Sequence, residues 1–267
     1  MKLVAKNRRI SFRNRPVSLL KLIPNIITII GLCVGMSAIR FAIDAKWELA
    51  VMCIIIASII DAIDGKIARL LNSTSVFGAE LDSLCDAINF GIAPVLVTYF
   101  WTFNDYSLKV ISWATVLLFS VCVVLRLARF NTMAISATED KILSGFFVGI
   151  PAPAGAILAL MPLIHEFNIQ EYTNFSFMPH PLIIAIYQCF IGFLMASKLP
   201  TFSIKNISVE PKNLWLWLIF SGIIVISVFL YTWIVLPLIA LIYICSLPFS
   251  YLSYKKLMDS ANSSETT

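Results

Sequence analysis

The sequence predicts an all-α integral membrane protein with about eight transmembrane helices. Of its 267 residues, 59% are hydrophobic and only 13% charged, about half the charged share of an ordinary soluble domain. Mean hydropathy is +0.88. Apolar runs recur at the length of about 20 residues that a helix needs to cross hydrocarbon, whereas barrel strands alternate over about 10.

In chain order, residues 1–21 come first, with seven basic residues and no acid. Apolar side chains such as Ile10, Phe12 and Leu19 lie between them, a composition suited to an anionic leaflet. A signal peptide competes for this segment. The apolar run that follows is longer than a signal core and is not followed by an A-x-A-like cleavage site, so it reads as retained. Spans are expected at 22–43, 47–70, 79–102, 108–130, 147–164, 182–197, 213–230 and 233–252. Placing the N-terminus, 66–80, 126–145, 198–213 and the tail on one side gathers 17 of the 20 Lys/Arg there. The positive-inside rule then sets both termini in the cytoplasm. The same rule accounts for the net charge of +5 without a nucleic-acid partner. The tail 253–267 is polar and is expected to be disordered.

Six cysteines lie singly in apolar runs with no C-x-x-C pair, which suggests neither a disulfide frame nor a zinc site. His165 and His180 flank an acidic loop and share no motif with a carboxylate or cysteine. The last two spans carry no Asp, Glu, Lys or Arg and read as lipid-facing scaffold, with Trp215, Trp217 and Trp233 suited to the interfacial belt.

One stretch departs from this apolar pattern: DAIDGKIARLLNSTSVFGAELDSLCD, from Asp61 to Asp86. At about 100° per residue, Asp61, Asp64, Gly65, Ala68 and Arg69 share one side of a helix. Gly78, Asp82 and Asp86 follow at i, i+4, i+8 along the next. An aspartate at the centre of a membrane helix costs about 2.5–3.5 kcal/mol, so four of them call for a cation or a watery cavity. Carboxylates suit Mg²⁺ or Mn²⁺, which are often shared with substrate phosphates. Arg69 would favour a phosphate-bearing ligand, and Gly65 and Gly78 let a bulky group approach the backbone. Metal-assisted phosphoryl transfer fits these residues. An ion or proton pathway also uses intramembrane acids, but more naturally scatters them over several spans.

The pattern D-x-x-D-G-x-x-A-R, eight residues, then G-x-x-x-D-x-x-x-D resembles the signature of the CDP-alcohol phosphotransferase family. The resemblance implies a six-helix core, here 22–200, with 213–252 as two additional helices and a site open to the cytoplasmic leaflet. It implies metal binding by Asp61, Asp64 and Asp82. Asp86 would complete the metal site and act as general base. The CDP moiety would lie along Gly65 and Ala68 with Asp61, Arg69 and Gly78 nearby, and Pro24, Asn25 and Thr28 match nucleotide-side contacts. A homodimer is a further implication.

AINFGIAP after Asp86, RLARFN, FVGIPAPAGA and MASKLPTFSIK resemble the branch of that family that transfers a phosphatidyl group from CDP-diacylglycerol to L-serine. That resemblance implies a bacterial inner-membrane enzyme with Arg126, Arg129 and Asn131 at the serine site. Arg126 and Arg129 also read as cytoplasmic anchors of a span. Acceptors such as glycerol 3-phosphate, an inositol phosphate or choline remain open.

Overall fold

A computed structural model describes residues 22–103, 109–136, 146–173, 179–202 and 214–265. The basic N-terminal segment, Lys205 and the last two residues lie outside that range. Helices α1 (Ile23–Ile43), α2 (Trp47–Leu70), α3 (Val76–Asp86), α4 (Ala93–Thr102), α5 (Lys109–Ser136), α6 (Ala152–Thr173), α7 (Pro181–Ala196), α8 (Leu214–Leu230) and α9 (Thr232–Glu265) follow in order. Two short strands, β1 (Phe146–Val148) and β2 (Pro200–Phe202), interrupt them.

Each of the eight expected spans contains a helix among its described residues. Five described segments are long and apolar enough to cross a membrane: Ile23–Ile43, Val76–Thr102, Lys109–Met133, Ala152–Glu171 and Thr232–Lys256. The protein is therefore a multi-pass membrane protein. Helices α7, with 16 residues, and α8, with 17, are shorter, and α2 carries Asp61, Asp64, Lys66 and Arg69 in its second half.

Helix α1 is the spine against which the site is built. It packs on α2, α3 and α4 through a face of small residues, Gly31, Gly35, Ala38 and Ala42, all buried. Small residues let membrane helices approach closely, and van der Waals contact then holds them. A Cβ on Gly31 would come 3.1 Å from Ile60 Cγ2 of α2, and one on Gly35 would collide with the Asn89 carboxamide. Large apolar side chains on other faces, including Ile26, Ile29 and Ile30, are exposed, as a lipid-facing surface requires.

The structure departs from sequence expectation in several places. Helix α3 starts at Val76 rather than 79, because the Ser75 side chain caps it by accepting from the Gly78 N–H at 3.0 Å. Between α3 and α4 the chain widens into a π segment, Ala87–Ile92, a rare element frequent at functional sites. The Ser120 hydroxyl of α5 donates to the Gly91 carbonyl at 3.2 Å and holds this segment in place. Helix α6 starts at Ala152, since Phe146–Val148 pairs antiparallel with Pro200–Phe202, Phe147 opposite Thr201. It then runs on through His165 and Glu166, which the sequence reading placed at a loop. Glu166 is buried and accepts from Gln170 Nε2 at 2.8 Å, one helical turn later. Helix α9 continues to Glu265, through most of the tail expected to be disordered. No Gly or Pro follows Pro248 to stop it.

The strand pair is set by Gly149, whose φ of +76° favours glycine. A Cβ there would lie 2.6 Å from Met195 O and 2.9 Å from Ser197 O. The Gly149 N–H donates to Leu199 O at 2.8 Å, and the Thr201 hydroxyl donates to Gly149 O at 3.1 Å. These bonds fix the ends of α6 and α7 against each other.

Candidate active site

The four aspartates converge, as their helical spacing predicts. One carboxylate oxygen from each of Asp61, Asp64 and Asp82 can be chosen so that all lie within 4.8 Å of one another. Asp86 stands outside that set, with its carboxyl group in hydrogen-bonding contact with that of Asp61. The set comprises hard oxygen donors in the number and proximity that a divalent cation takes, so its residues fit such an ion.

Helix α1 supports both halves of this cluster. The Thr28 hydroxyl lies 2.6 Å from Asp64 Oδ2 and 3.0 Å from Pro24 O. One proton serves both acceptors, and the shorter contact goes to the carboxylate, the stronger acceptor when ionised. Thr28, expected beside the nucleotide, thus also orients a cluster acid. Asn25 touches the other half: a Cβ on Gly78 would lie 3.0 Å from Asn25 Oδ1. Among the described residues nothing outside its own helix approaches Gly65 within 4 Å of where its Cβ would be, so the helix is open to a ligand there. Ala68 is half-buried. Arg69 is exposed and turns back along its own helix, with Nε donating to Gly65 O at 3.1 Å.

Three polar residues of α5 face the cluster region in different ways. Arg126 lies within electrostatic reach of Asp86. Arg129 donates from a terminal guanidinium nitrogen to Ser197 O at 3.2 Å, so its visible role is to tie α5 to the turn after α7. Asn131 Oδ1 lies 3.1 Å from the Ser83 hydroxyl of α3, whose single proton it shares with Ala79 O at 3.0 Å, beside the helix that carries Asp82 and Asp86. The structure therefore brings Arg126 to the acids, while Arg129 holds elements together and Asn131 stands at Ser83.

A family model described as CDP-alcohol phosphatidyltransferase matches residues 21–187, a range containing all four clustered aspartates. The chain belongs to this family. Within the CDP-alcohol phosphatidyltransferase match lie α1 to α6 and part of α7, while α8 and α9 fall beyond it. The chain is 35% identical over 244 residues to a Mycobacterium leprae protein, covering 89% of this chain and 77% of the relative. It is 34% identical over 209 residues to one from Helicobacter pylori strain J99, covering 78% and 84%. A Bacillus subtilis relative is 32% identical over 196 residues, covering 73% and 98%. Each is named CDP-diacylglycerol–serine O-phosphatidyltransferase.

Other residues near the site were not singled out from the sequence. Asn89 is 3% exposed, lies one turn after Asp86 and fixes α1 against the π segment through its place at Gly35. Its signal was the AINFG context, which names the segment but not the contact. Thr201 and Tyr243 approach each other near Arg126 from β2 and α9, and no local pattern links them.

The Thr28–Asp64 bond gives a direct test. Thr28→Val keeps the shape and removes the donor. Orienting partners of metal ligands are worth about 10–100-fold in metal affinity or activity. We expect the divalent-cation concentration for half-maximal activity to rise by about tenfold in Thr28→Val, and Thr28→Ser to restore it. A metal titration of CMP release checks both.

Proposed function

We propose that this protein transfers the phosphatidyl group of CDP-diacylglycerol to the hydroxyl of L-serine, releasing CMP. The observation that carries this reading is the three-carboxylate set flanked by Asp86 and Arg126, in a chain similar over most of its length to proteins named for that reaction.

The residues divide the work by chemistry. Asp61, Asp64 and Asp82 would hold the divalent cation, Mg²⁺ or Mn²⁺, with Asp86 completing the set. When bound, that ion supplies positive charge against the pyrophosphate and the departing CMP. The open backbone at Gly65, with Ala68, Arg69, Gly78, Asn25 and Thr28 around it, receives the CDP moiety. Arg126 holds the serine carboxylate, which places the serine hydroxyl toward Asp86. Asp86 takes the hydroxyl proton as the serine oxygen bonds to the phosphorus bearing the lipid. The bond from that phosphorus to the CMP oxygen breaks, and CMP leaves with the electron pair. Arg129 fixes the Ser197 turn behind this pocket, and Asn131 meets α3 at Ser83.

The loop charges support a cytoplasmic site with both termini on the same side, in a bacterial inner membrane. We take eight spans for the full chain, a core over 22–200 and a homodimer as the working assembly. A liponucleotide substrate that stays in the bilayer agrees with a site built inside a helix bundle.

The test is CMP release by purified protein in detergent–lipid micelles with CDP-diacylglycerol and Mg²⁺ or Mn²⁺. We expect release to depend on L-serine, with glycerol 3-phosphate, inositol phosphate and choline giving less than about a tenth of the rate, a difference of about 1.4 kcal/mol in barrier. Preference for another acceptor keeps the family and discards serine. No release with any acceptor from folded, metal-loaded protein would turn attention to ion or proton flux.

A further inference from the structure

We infer that Tyr243 of α9 belongs to the acceptor pocket, where its hydroxyl and the Arg126 guanidinium together bind the carboxylate of the incoming amino acid. The inference rests on the serine reading above and assigns a substrate contact to a helix outside the matched family region.

Helix α9 packs against α6 and β2. The Tyr243 ring joins the main hydrophobic core. Its hydroxyl is also buried, and the hydroxyl of Thr201 is its hydrogen-bonding neighbour. Its neighbours include Thr201, whose own hydroxyl donates to Gly149 O at 3.1 Å and keeps lone pairs for the Tyr243 proton, and Arg126, whose Nε is buried and without a partner among the described residues. Arg126 is within electrostatic reach of both Tyr243 and Asp86.

Leaving a buried donor unsatisfied is costly. Here a guanidinium N–H without a partner among the described residues and a buried phenol lie near one another, beside the proposed base. The neighbouring polar side chains leave Arg126 Nε without an acceptor: Arg129 carries only donors and is bonded to the Ser197 carbonyl, and the Thr201 hydroxyl is bonded to the Gly149 carbonyl. Both of those bonds brace the wall of the pocket. A single partner for both groups brings acceptor oxygens for a guanidinium N–H and a phenolic O–H, and carries its reacting hydroxyl toward Asp86. A carboxylate on a small hydroxy amino acid meets those demands. A quaternary ammonium alcohol brings no such acceptor, and its cation would meet Arg126.

The test uses the full-length protein with Tyr243→Phe, which removes one oxygen and keeps the ring in the core. Losing a single hydrogen bond to a charged group should raise the apparent KM for L-serine by about tenfold, with kcat within about twofold and KM for CDP-diacylglycerol unchanged. Thermal unfolding should match the wild type, since a purely structural role would move stability rather than one KM. An unchanged KM for serine, or a loss confined to kcat, overturns the assignment of Tyr243 and leaves the serine reading intact. Absence of serine-dependent CMP release in the wild type overturns the serine reading, and this inference falls with it.

Discussion

Asp86→Asn is expected to lower serine-dependent CMP release by about 10³-fold or more while leaving the chain folded. General-base catalysis contributes about 10²–10⁴-fold, and asparagine cannot accept the proton of an alcohol at neutral pH. The substitution is nearly isosteric and sits at the last residue of α3, so neither the helix nor the π segment has reason to change. It also removes the carboxyl group that meets Asp61 and the negative charge near Arg126. The defect should therefore persist at any metal concentration. Three measurements separate a lost base from a lost fold: CMP release, thermal unfolding, and equilibrium binding of CDP-diacylglycerol. Near wild-type CMP release from folded Asp86→Asn would remove Asp86 as base.

The acid cluster was legible because it depends on local geometry. Asp61 and Asp64 are one turn apart, and so are Asp82 and Asp86. Helical spacing alone brings each pair to one side, and the cost of acids in a membrane implies that the pairs meet. The α1 contribution was half legible. Asn25 and Thr28 were expected near the site, but whether Thr28 faces a nucleotide or Asp64 depends on how α1 and α2 cross, which the small face Gly31–Gly35–Ala38–Ala42 decides. The π segment was not legible, since one extra residue in a turn leaves the apolar pattern of AINFGIAP unchanged. Nor were the strands: three residues each are too short for an alternation to stand out. Arg129 shows a different limit. A sequence displays the guanidinium but not the backbone carbonyl of Ser197 that it meets 68 residues later. Tyr243 combines both limits, a single polar tip on an apolar helix whose neighbours come from α5 and β2.

Asp64→Asn should separate metal holding from proton transfer, because its defect is expected to respond to the cation. Asp64 is 4% exposed and receives the Thr28 proton at 2.6 Å. Replacing it removes one of the three carboxylates proposed to hold the cation, for which we expect CMP release at fixed Mg²⁺ or Mn²⁺ to fall by about 10²-fold or more, with partial recovery at high metal. Stability gives a second, activity-free readout. Two ionised carboxylates 4.8 Å apart, the outer limit within this set, repel by about 3.5 kcal/mol at an effective dielectric of about 20. With the cation stripped by chelator, Asp64→Asn relieves part of that repulsion and should melt at a higher temperature than the wild type. On adding metal the order should narrow or reverse, since a cation bound only by the folded state stabilises by RT ln(1 + [L]/Kd) and the variant binds it more weakly. Equal metal-induced shifts in wild type and variant would remove Asp64 from the ligand set. Asp86→Asn read in the same assay would then show whether Asp86 takes part in holding the cation.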